Sequence, residues 1–196
     1  MKQVTILFLI IPLFSCENDS YFKRGVKKYR GGYPQEALAL FTKEIEANPD
    51  NGFAYYERGN SKYALNDRYG ALRDMDTAIE IDPHPSFFNN RSVIYSDVGD
   101  YNSAIQDASK AIKLKEDYAM AYLNRGGAFG MLNQNEKAIK DYTAAISLEP
   151  DNIEALLKRG IVYQKLDNLE KACEDWGAAA DLGGKNSMSF YRSYCE

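Results

Sequence analysis

A fixed period of about 34 residues constrains this chain more than any other feature. Arg24-Gly25, Arg58-Gly59, Arg125-Gly126 and Arg159-Gly160 share one register, and Arg91-Ser92 fills the gap between the second and third. The step from one arginine to the next is constant to within a single position. Ala37, Ala71, Ala104, Ala138 and Ala172 keep the same steps. Four positions past each alanine stand Phe41, Met75, Ala108, Tyr142 and Trp176; twelve past stand Pro49, Pro83, Glu116, Pro150 and Gly184. Four ladders in one register mean that a single supersecondary unit recurs along the chain.

Each unit holds two stretches of about 13 residues with apolar side chains at helical spacing. In the fourth unit Leu123, Gly126, Phe129 and Gly130 share one side of the first stretch. Ala138, Ile139, Tyr142, Ala145 and Ile146 stripe the second. Polar pairs such as Gly99-Asp100, Asn133-Gln134 and Asp167-Asn168 break the two stretches apart, and prolines end three of the second helices. Gly126 and Ala138 are small enough for close backbone approach, with Tyr142 filling the space one turn away. A lone hairpin cannot bury its apolar face, so neighbours must stack.

From about Asn18 to Gly184 the pattern resembles the tetratricopeptide repeat family. The resemblance implies an all-α fold, a right-handed α-solenoid of about five helix-turn-helix repeats over residues 18–51, 52–84, 85–118, 119–152 and 153–186. Residues 187–196, with Met188, Tyr191 and Cys195 at helical spacing, are expected to form a capping helix over the last apolar face. Ser92 in place of Gly and Ala108 in place of a large residue depart from the pattern. Glu116 in place of Pro predicts a more helical junction there. Glu44 stands where later repeats carry Ala78, Ala111, Ala145 and Ala179, as terminal repeats are commonly atypical.

Asp74, Asp107, Asp141 and Asp175 follow Arg58, Arg91, Arg125 and Arg159 at one constant spacing. An antiparallel hairpin brings such positions together, so paired charges are expected in four repeats. Leu40 takes the Asp position in the first, leaving Arg24 without that partner. Cys173 and Cys195 lie equally far from the turn near Gly184. They are either two buried thiols or a disulfide, and the symmetry about the turn favours the disulfide. His84, the only histidine, sits between two prolines and is expected to be solvated; it cannot build a multi-histidine metal site.

The formal charge is −4, with Lys and Arg spread along the chain and no basic stripe expected, which argues against nucleic acid. No Ser/His or Cys/His couple and no phosphate-binding Gly-rich loop is present, so neither catalysis, a cofactor nor a small-molecule substrate is expected. Residues 1–15 read as an export signal: Lys2, then a short, nearly uncharged run from Val4 to Phe14. That run falls well short of the roughly 20 residues a spanning helix needs. Leu13-Phe14-Ser15-Cys16 resembles a bacterial lipobox. The resemblance implies cleavage before Cys16, lipid attachment there, residues 16–19 as a linker, and a place in the cell envelope, on the outer-membrane or periplasmic side. The alternative is an ordinary secretory signal with an incidental Cys.

In tetratricopeptide arrays the first helix of each hairpin lines a concave groove. By that resemblance the groove here shows Phe22, Tyr56, Asn60, Tyr63, Asn89, Asn90, Val93, Met120, Leu123, Asn124, Leu157 and Lys158. It is aromatic and apolar, with Asn amides able to hydrogen-bond an extended peptide. Tyr56 and Met120 stand where a carboxylate clamp would use Lys. The function implied is a lipid-anchored scaffold or adaptor for a partner protein or peptide. A structural subunit of an envelope assembly or secretion complex is the alternative.

Overall fold

A computed structural model describes residues 20–196; residues 1–15, expected to be an export signal, and Cys16 lie outside the described residues. Eleven helices run in order among them: α1 Tyr21–Arg30, α2 Pro34–Ala47, α3 Gly52–Ala64, α4 Arg68–Ile81, α5 Pro85–Asp97, α6 Tyr101–Leu114, α7 Ala119–Met131, α8 Asn135–Leu148, α9 Ile153–Lys165, α10 Leu169–Asp181 and α11 Lys185–Tyr194. They pack as consecutive antiparallel hairpins, each on the next. The last helix begins at Lys185, slightly before the expected boundary. No described helix is long and apolar enough to cross a membrane.

Short polar side chains start the helices. Ser20, Asn51, Asp67, Asp100, Asn152 and Asn168 each accept a hydrogen bond from a backbone N–H of the first turn. His84 does the same for α5: its ring accepts from the Ser86 N–H and packs edge-on against Phe53. The lone histidine is thus a helix cap in an aromatic cluster and not merely solvated. Inside the five hairpins the turn contains one left-handed residue, Gly32, Asn66, Gly99, Asn133 or Asp167. Gly, Asn and Asp adopt that conformation most readily, and it ends the first helix sharply.

Glycines on first helices seat large side chains from second helices. A Cβ on Gly25 would meet the Phe41 ring at 2.6 Å; one on Gly126 would meet Tyr142 at 2.9 Å; one on Gly160 would meet Trp176 at 2.5 Å. The third repeat departs from this allocation: two small residues, Ser92 and Ala108, hold the equivalent positions and both are buried. Glu116 does not lengthen the helix. α6 stops at Leu114, and residues 115–118 form a short junction like 48–51 and 149–152. Lys115 turns extended, and Phe88, Ala111 and Ala121 pack with Tyr118 across the junction. Inter-repeat packing therefore ends this helix where no proline does.

Four bidentate ion pairs clamp the hairpins. Arg58, Arg91, Arg125 and Arg159 each donate two hydrogen bonds, of 2.6–2.9 Å, to Asp74, Asp107, Asp141 and Asp175. All four carboxylates are buried. The Asp partners, through hydrogen bonds, hold the Arg58, Arg125 and Arg159 guanidinium groups above their ordinary value. At Arg91 burial opposes the charge, but bonds to Asp107 and Asp76 outweigh it. Breaking such a pair costs about 3–5 kcal/mol where the surviving carboxylate is left buried alone, as at Asp141 and Asp175; Asp74 would keep Lys62 at 2.8 Å. In the first repeat Arg24 lies over the Tyr21 ring instead.

Candidate functional site

The first helices set their side chains along one face, and two cavities of about 430 Å³ each open on it. The first lies across α1, α3 and α5. Tyr29, Arg30, Tyr56, Glu57, Asn60 and Asn90 are among its lining residues. The second lies across α5, α7 and α9, with Asp97, Asn124, Gly127, Tyr142, Lys158 and Lys165 in its wall. Gly127 keeps that floor low: only the Tyr142 hydroxyl would approach an added Cβ there, at 4.0 Å.

An amide ladder joins the two cavities. Asn124 Nδ2 donates to Asn89 Oδ1 at 2.9 Å, and Asn89 Nδ2 to Asn90 Oδ1 at 3.3 Å. Asn90 Nδ2 then donates to the Tyr56 hydroxyl at 2.9 Å and to Asn60 Oδ1 at 3.1 Å. Three repeats are thus linked through side-chain amides, and much of the hydrogen-bonding capacity expected to face a peptide is used internally. Both N–H groups of Asn90 are spent, whereas Asn124 keeps an acceptor and one donor.

The structure divides the predicted groove residues. Tyr56, Asn60, Tyr63, Asn90 and Val93 share the first cavity, and Asn124 and Lys158 the second. Asn89 is a correction: it is 3% exposed and lines neither cavity; Leu123 is equally buried but lines the second. Each sits one position before a groove residue, rotated toward the helix behind. Asn89 is held by Asn124, and Leu123 packs with Ala138, Tyr142 and Val162 as the floor of the second cavity. Met120 is exposed on the first turn of α7 and lines neither cavity. Phe22 packs against Phe41 at the open end of the array. Leu157 lines a third opening beside α11.

Sequence reasoning missed Arg30 and Glu57. The signal was available: Glu57 holds the position of Asn90, Asn124 and Lys158 when the period is applied. Burial raises the Glu57 carboxyl above its ordinary value, against the Asn60 amide and the Arg30 charge. Burial likewise raises the Tyr56 phenol. Lys158 reaches Glu154 at 3.4 Å. The first cavity therefore offers aromatic faces beside one acid and one base, and the second offers two lysines beside two carboxylates. Among the described residues no group of three or more His, Cys, Asp or Glu is placed to hold a metal ion.

Comparison with known proteins agrees with this geometry. Models described as tetratricopeptide repeat match residues 85–118 and 154–181, and one described as TPR repeat matches 128–167. The chain is 30% identical over 116 residues to human tetratricopeptide repeat protein 6, covering 57% of this chain and 22% of that protein. It spans between 12% and 22% of the length of the curated relatives it matches. A crystal structure of MamA superposes with a TM-score of 0.74 at 22% identity, over 84% of this chain and 96% of that one. The first TPR of Spaghetti (RPAP3), bound to the HSP90 peptide SRMEEVD, superposes with a TM-score of 0.59 at 29% identity, over 60% and 94%. The periodic hairpins, the Gly-to-aromatic seating and these matches together give the described chain the all-α solenoid fold of tetratricopeptide repeat proteins, with a C-terminal capping helix.

Proposed function

We propose that this protein is a lipid-anchored scaffold of a bacterial cell envelope that holds a partner protein or peptide in its concave groove. The observation that carries the binding role is the continuous groove over α1, α3, α5, α7 and α9, where two open cavities are joined by the amide ladder. A related repeat array has been solved with a peptide bound, which supports the same use of the groove here. The anchor rests on the sequence Leu13-Phe14-Ser15-Cys16 behind an apolar run.

Interface energy concentrates in central aromatic and charged anchors. Tyr56→Ala and Lys158→Ala, one in each cavity, should therefore weaken partner capture; melting stays nearly unchanged for Lys158→Ala, whereas Tyr56→Ala also lowers it through the lost Asn90 bond and the Phe87 stack. Asn90→Ala should lower both, since it removes two hydrogen bonds from the ladder. Unaltered capture by the first two variants would sink the groove reading. The anchor is tested separately: Cys16→Ser should leave the chain unlipidated, and a wild-type N-terminal peptide without lipid mass would refute it.

The alternative, a subunit of an envelope assembly or secretion complex, draws on the hairpin-turn edge. Tyr33, Leu65, Tyr69, Leu166 and Leu169 are all exposed there, Tyr69 at 68%. If Tyr69→Glu abolishes complex formation and the groove variants do not, this reading takes precedence.

A further inference from the structure

The first helix carries five basic residues and no acidic one: Lys23, Arg24, Lys27, Lys28 and Arg30 in the sequence YFKRGVKKYR. The rest of the chain sets 19 Lys and Arg (24 less these five) against 28 Asp and Glu. The expectation that no basic stripe exists is therefore wrong. Spread of charge over the whole chain concealed a local concentration that the helix gathers onto one side.

That side is the one a preceding repeat would cover. In later repeats the positions equivalent to Ser20 are Ala54, Phe87, Ala121 and Ala155, and those equivalent to Lys27 are Ser61, Ile94, Ala128 and Val162; all eight are buried. In the first repeat Ser20 and Lys27 are exposed, with Arg24 and Lys23 exposed on either side of them; Lys23 lies toward the groove edge, and Arg30, also exposed, sits at the rim of the first cavity. Gly25, Phe22 and Tyr29 face the opposite way, into the array. Lys28 pairs with Glu36 at 2.6 Å, but Lys23, Arg24, Lys27 and Arg30 enter no ion pair among the described residues. A face built to receive another repeat or a second copy of this array would be apolar. This one is cationic, with the half-exposed Tyr21 ring beside Arg24 and Lys43.

We infer that the free face of α1 docks on the anionic headgroups of the membrane surface that carries the lipid anchor. This rests on the Cys16 reading for its location and on charge for its affinity. Four peptide steps separate Cys16 from Ser20, which no chain can stretch beyond about 14 Å. An anchored Cys16 thus keeps α1 within reach of the headgroups. The lipid supplies the hold, and a cluster of basic residues beside it adds attraction to anionic headgroups of about 1 kcal/mol per Lys or Arg. Docking through α1 sets the array with its first repeat at the membrane and its later repeats pointing away, so the groove opens to one side.

The test uses the full chain with Cys16→Ser, which removes the lipid and leaves α1 intact. Its affinity for vesicles containing phosphatidylglycerol is compared with that for phosphatidylcholine vesicles, so that apolar insertion of the leader cancels in the ratio. The expected result is a preference for the anionic vesicles that falls with added salt. Lys23→Gln with Lys27→Gln should reduce it roughly five-fold for each charge removed, with helical content unchanged. A preference that survives both substitutions, or one indifferent to salt in the unsubstituted helix, overturns the inference. So does absence of any preference. If the two substitutions abolish binding to a DNA duplex and leave the vesicle preference intact, the face belongs to nucleic acid instead. Absence of lipid on wild-type Cys16 would refute the anchor alone, and leave the vesicle result to stand or fall by itself.

Discussion

The two ends of the array are closed by different physics. At the C-terminal end α11 lies over the last hairpin, where Phe190 stacks on the buried Trp176 at a ring distance of 5.0 Å and Tyr194 packs tilted against it at 5.7 Å. A disulfide between Cys173 and Cys195, with Cα atoms 5.8 Å apart, ties the cap to α10. At the N-terminal end nothing apolar among the described residues is laid over α1. Its outer face is cationic, and its start is held by one carboxylate. Glu44, 6% exposed, accepts from the Phe22 N–H at 3.2 Å and from the Asn48 and Asn51 amides at 3.0 and 3.1 Å. Where later repeats carry alanine, Glu44 thus satisfies an orphan N–H of α1, a helix that no preceding helix among the described residues covers. An exposed end must either be covered or be made polar, and this chain does one at each end.

The largest consequence should follow from Trp176→Ala. It removes the side chain that fills the Gly160 seat and carries two aromatic contacts, so a loss of about 3–5 kcal/mol is expected, read by denaturant unfolding. Amide exchange in α11 should accelerate with it. If α11 stays protected, the stack is not what holds the cap.

Next comes Cys173→Ser, expected to cost about 3 kcal/mol under oxidising conditions and nothing when both proteins are reduced. Free thiols in protein purified without reductant would contradict the bridge. The N-terminal counterpart is smaller. Glu44→Ala leaves the Phe22 N–H without its partner and should cost about 1–3 kcal/mol, with fraying confined to α1. A loss spread equally over all repeats would show that the carboxylate does more than close this end.

The smallest effect concerns Glu57, beside Arg30 at the same end. Its folded carboxyl is raised, so folding favours the neutral form. That contribution is fully present below the unfolded carboxyl value, about 4.3, and is lost as pH rises through the folded value. Glu57→Gln should therefore raise the melting temperature slightly at neutral pH, and the difference should vanish in acid. An equal gain at both pH values would mean that the charge is not the cause.

Much of this molecule is written in one dimension. Every hairpin follows from the period, because glycine seats, alanines and left-handed turn residues recur wherever the backbone must approach or reverse. The constant spacing from Arg58 to Asp74 and its three repetitions sufficed to place a pair across each hairpin, since antiparallel helices fix which residues meet. Other features required the packed structure. Asn89 and Asn90 are neighbours in sequence, yet one is buried and the other faces the groove, because a rotation of about 100° separates them on a helix. The end of α6 at Leu114 came from contacts with the next repeat and not from any local stop signal. The cationic face of α1 depended on what no neighbour covers. Residue order alone therefore specified the repeating unit, because its constraints are local and recur. Packing alone settled which side chains are spent on the array and which remain for a partner, because burial depends on what each helix lies against.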